Sequence, residues 1–174
     1  MSLLELINIR KIRKALLYLL CIILTLWLQT MIFSRLTLFG VKPMFVPAMA
    51  VAIGMFEGGL WGGMLGLAAG VYCDICYSDS TVLFLVLFAA LGFLAGLLTE
   101  FFINRRFVSY LILAALALLL TAFCQIAPLW IFKGVPLRPL AVTALLQSLL
   151  SLPFAIVIYF VIKVIAGRTQ NRSA

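Results

Sequence analysis

The chain has 174 residues, 66% of them hydrophobic and only 10% charged, with a formal net charge of +8 and a mean hydropathy of +1.27. That leaves too little polar surface to cover a soluble globule, so composition excludes a water-soluble domain and points to integral membrane helices of roughly 17 to 25 apolar residues each. The basic residues do not gather into one patch and no aromatic-basic motif interrupts them, which argues against nucleic acid as a partner.

At the start, Arg10, Lys11, Arg13 and Lys14 precede an apolar run over 15–33. This resembles the charged and hydrophobic regions of a signal peptide but lacks a small-x-small cleavage site. The reading is a retained first helix behind a short interfacial turn carrying Leu3, Leu4 and Ile7, with no lipidation signal. A polar link containing Ser34, Arg35, Gly40 and Lys42 leads to Pro43, which suits a first helical turn because its missing N–H would be unpaired there anyway.

The second helix is expected over 43–56. At ~1.5 Å per residue it reaches about 21 Å, short of a ~30 Å hydrocarbon core, and Pro47 interrupts it, so it is expected to be shielded by neighbours. The third helix, over 58–73, begins beside Glu57, which complements the positive end of the helix dipole. The fourth spans 81–100, with Ser78, Asp79 and Ser80 as candidate N-caps. Asn104, Arg105 and Arg106 lead to the fifth, over 107–127, and the sixth covers 140–166 with Pro153 inside it. The expected fold is an all-α integral membrane protein, one polytopic domain over 1–174, forming a compact bundle of six transmembrane helices.

Six spans with the N-terminus inside put nine basic residues on the cytoplasmic side: Arg10, Lys11, Arg13, Lys14, Arg105, Arg106, Lys163, Arg168 and Arg172. Four, Arg35, Lys42, Lys133 and Arg138, fall outside. The positive-inside rule therefore favours cytoplasmic termini. A five-span arrangement, with the second helix re-entrant, moves Arg105 and Arg106 outside and worsens the bias.

Glycine recurs at 54, 58, 62, 66 and 70, followed by Asp74. A four-residue step advances only about 40° around an α-helix, so Gly58, Gly62, Gly66 and Gly70 form one slowly winding stripe. Gly59, Gly63 and Ala69 share its sector, while Leu60, Met64, Leu67, Ala68 and Val71 occupy the other side. Lipid tails are as apolar as leucine, so membrane helices associate by close packing and weak Cα–H···O contacts, which a bare face permits. Glycine costs ~1 kcal/mol of helix propensity relative to alanine, so the stripe implies a packing return. The fourth helix carries a matching stripe of Ala89, Gly92 and Gly96, continued by Thr99 and Glu100. These glycines, Gly63 included, are expected to pack helices, either within the chain or between copies, and the oligomeric state stays open.

Asp74 falls at the C-terminal end of the third helix, where the dipole disfavours an anion. It needs Arg35, Lys42, an external protein or solvent as compensation, or it simply opens the loop to Ser80. Glu57 and Glu100 fall near the opposite surface, with Arg105 and Arg106 close behind, as candidate polar contacts. No carboxylate lies mid-span to form a proton path. Asp74 and Asp79 lack the flanking glycine signatures of intramembrane aspartyl proteases. The chain has no histidine and no serine-nucleophile motif, so no catalytic residue, metal or cofactor is expected. Cys73 and Cys76 form a CxxC without a second pair; with Cys124 they either join loops by a disulfide or serve as small packing residues. Gln29, Gln125 and Gln147 are placed to bond between helices or line a cavity. Trp27, Trp61, Trp130, Tyr72, Tyr77 and Tyr110 fall mostly near the expected interfaces, as aromatic belts do.

The stretch from Pro43 to Gly96 resembles the rod shape-determining protein MreD family of bacteria. The matching features are the proline opening the second helix, the segment GGLWGGMLGLAAGVYCD ending in Asp74, and the small-residue segment AALGFLAGLL. The chain departs from the family after Asp74, where SDST stands in place of a glycine before the next helix. The resemblance implies a non-enzymatic component of the cytoplasmic (inner) membrane, in contact with membrane lipid. It implies action in the cell-elongation machinery with MreC, the MreB cytoskeleton, and the transpeptidase and glycosyltransferase that build side-wall peptidoglycan. The family is similar in fold to the substrate-binding subunits of energy-coupling-factor vitamin importers, which supplies the alternative function. That alternative predicts an outward cavity and an AxxxA docking pattern in the first helix, and ALLYLLCIILTLWLQTMIF has no such pattern.

Overall fold

A computed structural model describes residues 9–33, 43–77, 83–102, 106–133 and 136–170. Six α-helices and no strand occur among them. They are α1 (Ile9–Leu28), continued by a π-helical turn Gln29–Phe33, then α2 (Val46–Glu57), α3 (Gly59–Tyr77), α4 (Leu83–Phe101), α5 (Phe107–Lys133) and α6 (Leu137–Gln170).

Four helices are long and apolar enough to cross a membrane, through Gly59–Cys76, Leu83–Phe101, Phe107–Gln125 and Arg138–Gly167. The apolar stretch Ala15–Met31 of α1 and the whole of α2 fall below that length, so the six spans expected from sequence reduce to four of full length and two shorter ones. Several helix ends also move. α3 runs to Tyr77 instead of ending at Cys73, which places Asp74 inside its last turns. α5 continues past Pro128 to Lys133. α6 starts at Leu137 with Pro139 in its first turn, where the lost N–H has no intrahelical partner to forfeit.

The shortest helix is the most enclosed. Ten of the twelve residues of α2 are buried, from Val46 through Met55, and it touches all five other helices. Its apolar residues run all round the helix rather than along one stripe, the pattern of a helix surrounded by protein. Pro47 sits within its first turn, so the proline opens the helix rather than interrupting it.

Two antiparallel pairs wrap α2. In one, the start of α3 meets the end of α4, with Gly59 against Gly96, and the end of α3 meets the start of α4. In the other, Phe107 of α5 stacks on Phe160 of α6, while Gln125 meets Gln147 at the opposite end. α1 packs more lightly, antiparallel to α2, through Tyr18, Ile22 and Leu26.

An aromatic cluster closes the end where α2 finishes. Tyr159 stands with its ring 5.0 Å from Tyr110, 5.1 Å from Phe107 and 5.5 Å from Phe56, and the Lys163 ammonium lies 5.7 Å from its centroid. Tyr110 was expected in an interfacial belt and is instead fully buried: its hydroxyl donates to the Ala155 carbonyl at 3.0 Å and reaches that of Ala48 at 3.3 Å. A phenol inside a helix bundle needs such a partner, and main-chain carbonyls of two neighbouring helices provide it. Trp27, Trp61, Trp130 and Tyr72 are exposed.

Candidate functional site

The glycine repeat is split between two helices. Gly58 has φ +95° and ψ 170°, a conformation essentially confined to glycine, and it ends α2 and turns the chain back into α3. Gly54 therefore does not continue the α3 stripe; it faces it across a hairpin. The repeat measures a fold-back, and its period carries no signal of the positive φ at its second member.

Gly54 of α2, Gly62 of α3 and Gly92 of α4 meet at one point. A Cβ on Gly54 would overlap the Gly92 carbonyl oxygen; one on Gly62 would stand 2.5 Å from the same oxygen; one on Gly92 would stand 2.6 Å from the Gly62 carbonyl carbon. Three main chains touch here with no side chain between them, and even alanine has no room. The α3–α4 seam continues in both directions. A Cβ on Gly66 would stand 2.9 Å from the Phe88 carbonyl carbon, one on Gly70 2.6 Å from Leu85 Cα, and one on Gly96 2.5 Å from the Gly58 carbonyl carbon.

Gly63 differs from the rest of the stripe, because its nearest neighbour would be Phe93 Cβ at 3.4 Å, an ordinary van der Waals distance. Leu60, Met64, Leu67 and Val71, on the other side of α3, are exposed.

Asp74 is engaged by the main chain of α4. Its Oδ1 accepts the Phe84 amide at 3.0 Å and its Oδ2 the Leu85 amide at 2.8 Å. The first four amides of a helix have no intrahelical partner, and the positive end of the dipole favours an anion. The carboxylate that is unfavourable at the end of its own helix is thus compensated by the beginning of the next. Arg35 and Lys42, considered as its partners, and Ser78, Asp79 and Ser80, considered as caps for the fourth helix, lie outside the described residues.

Glu57 and Glu100 converge on the Gly58 turn. The Tyr18 hydroxyl of α1 donates to Glu57 Oε1 at 2.5 Å, and a Cβ on Gly58 would stand 3.0 Å from Glu100 Oε1. Arg105 lies outside the described residues, and Arg106 is exposed.

Sequence reasoning did not assign the other end of α2. There the Phe45 amide donates to Gln29 Oε1 at 3.3 Å and the Met44 amide to Ser151 Oγ at 2.9 Å, while Ser151 donates on to the Gln147 carbonyl at 2.7 Å. Gln147 donates to Gln125 Oε1 at 3.3 Å, and Gln125 to the Met44 sulfur. All of Met44, Phe45, Gln29 and Ser151 are buried, so unpartnered amides would carry their full desolvation penalty. The glutamines were visible as polar residues in apolar runs; Ser151, 107 positions from Met44, carried no signal.

No family model, no curated protein and no solved structure matches the chain. Cys21, Cys73, Cys76 and Cys124 are free thiols, with Cys73 buried and Cys76 exposed, so the loop-joining disulfide is not present. Among the described residues, no group of three or more acidic, cysteine or histidine side chains is placed to hold a metal ion. What the arrangement does chemically is hold main chains: Asp74, Gln29 and Ser151 each satisfy amides at the start of a neighbouring helix, and the glycines let those helices touch.

Proposed function

We propose that the chain is a multi-pass protein of the bacterial cytoplasmic membrane, with both termini cytoplasmic, acting as a non-enzymatic scaffold of the cell-elongation machinery. In this reading it links MreC and the MreB cytoskeleton to the transpeptidase and glycosyltransferase of side-wall peptidoglycan synthesis. Its outer faces and short loops engage the partner spans, because the glycine seam is already filled by its own helices.

One observation carries the reading. Apart from Gly63, the glycines through which residues 43–96 resemble the MreD family bring the main chains of α2, α3 and α4 together, and Asp74 fastens the α3–α4 end of the same seam. The membrane setting is supported by the surface: Leu20, Leu60, Met64, Val86, Leu149 and Phe102 are among many large apolar side chains left exposed, far more than a soluble monomer tolerates. The orientation rests on the bias of basic residues toward one side.

Depletion of the protein in the bacterium that encodes it, followed by imaging of cell shape and of new wall insertion, tests the proposal. Rounded cells with dispersed side-wall synthesis are expected. Normal rods with failed vitamin uptake would transfer the protein to the importer class.

A further inference from the structure

A groove of about 410 Å³ opens on the outer face of the bundle between α5 and α6. Its floor is open because Ala115 of α5 and Ser148 of α6 are small, and Ser148 offers no spare donor, since its hydroxyl bonds the Leu145 carbonyl at 2.9 Å. Its walls are Leu119 from α5 and Val142, Leu145, Leu149 and Leu152 from α6. Val142, Leu145 and Leu149 are each more than half exposed, so nothing among the described residues covers them.

The wall positions on α6 follow the helical face at steps of three and four. Continuing that face one turn toward the helix start reaches Arg138, which is exposed. From Val142 to Leu152 the groove rises about 15 Å, half the ~30 Å thickness of a hydrocarbon core. A partner transmembrane helix would need a seam along the full thickness. A single acyl chain, confined to one leaflet and ending at a headgroup, fits both the length and the cation at its end. Helical side chains lean toward the N-terminus, which carries the Arg138 guanidinium beyond the apolar groove to headgroup depth, where its planar fork suits a phosphate.

We propose that this groove seats one acyl chain of an anionic phospholipid whose phosphate is held by Arg138. The site rests on the multi-pass membrane reading, but not on the role in cell elongation. In the topology argued above it lies in the outer leaflet.

The test is native mass spectrometry of the full chain, purified in detergent, stripped of lipid and titrated with phosphatidylglycerol or phosphatidylethanolamine of identical acyl chains. The wild type is expected to retain one phosphatidylglycerol with roughly fivefold preference, the scale of one basic residue at a membrane surface. Arg138→Gln should abolish that preference. Ala115→Phe, which fills the floor, should lose both lipids while eluting as wild type on size exclusion. Equal retention of the two lipids by the wild type, or an unchanged adduct in Ala115→Phe, would overturn the site. A dimer that Ala115→Phe converts to monomer would give the groove to a second copy and also overturn it. If Ala115→Phe does not fold, the surface change Arg138→Gln decides alone. Alkaline washing of cell membranes checks the underlying reading separately: release of the chain into the supernatant would sink the membrane assignment and the lipid site with it.

Discussion

Asp74 in the last turns of α3 holds Leu85 in the first turn of α4, its Oδ2 accepting the Leu85 amide at 2.8 Å. One turn earlier, Gly70 lets the same residue approach, since any Cβ there would stand 2.6 Å from Leu85 Cα. The glycine creates the closeness and the carboxylate uses it, which explains why the repeat runs into an acid.

Asp74→Ala should therefore unfasten the start of α4. Loss of a capping side chain costs ~0.5–2 kcal/mol, and two amides are involved here. Unfolding of the purified protein in detergent should show a destabilisation in that range, with Asp74→Asn intermediate because one carbonyl oxygen remains. An alanine variant as stable as wild type would remove the capping role.

Gly58→Ala should destabilise by about 1–3 kcal/mol, the usual penalty for a side chain in a glycine-only region of backbone space. Gly58→Asn should be no milder, since φ +95° with ψ 170° lies outside the left-handed region that asparagine tolerates. Equal stability of wild type and both variants in thermal unfolding would contradict the turn geometry.

Ser151→Ala should cost about 1–3 kcal/mol, because it leaves the buried Met44 amide without an acceptor. Gln29→Leu removes the side-chain acceptor that lies 3.3 Å from the Phe45 amide and should loosen the same end of α2. Hydrogen exchange read by mass spectrometry should show faster exchange confined to the beginning of α2 in both variants; unchanged protection there would show that other groups satisfy those amides.

Part of this was legible in the sequence. The glycine spacing marked the bare faces of α3 and α4, and the shortness of α2 marked it as shielded, because length and composition act locally. The fold-back at Gly58 was not legible: a four-residue period looks the same whether it follows one helix or crosses a turn. Asp74 could be seen to need a partner, but the loop between it and α4 hid that the next helix supplies one. The Ser151 contact with Met44 joins positions 107 apart, and only the closed bundle brings them together. Tyr110 was misassigned because an aromatic near a helix end looks the same whether it faces the surface or the core.

The central claim is that main chains nest where the glycines meet, and two alanine substitutions on neighbouring helices test it directly. Heat challenge in detergent followed by size-exclusion chromatography should show Gly92→Ala losing its folded peak well below the wild-type temperature, because its Cβ would stand 2.6 Å from the Gly62 carbonyl carbon. Gly63→Ala, whose Cβ would meet Phe93 at 3.4 Å, should match wild type. A wild-type Gly92→Ala beside a collapsed Gly63→Ala would contradict the account.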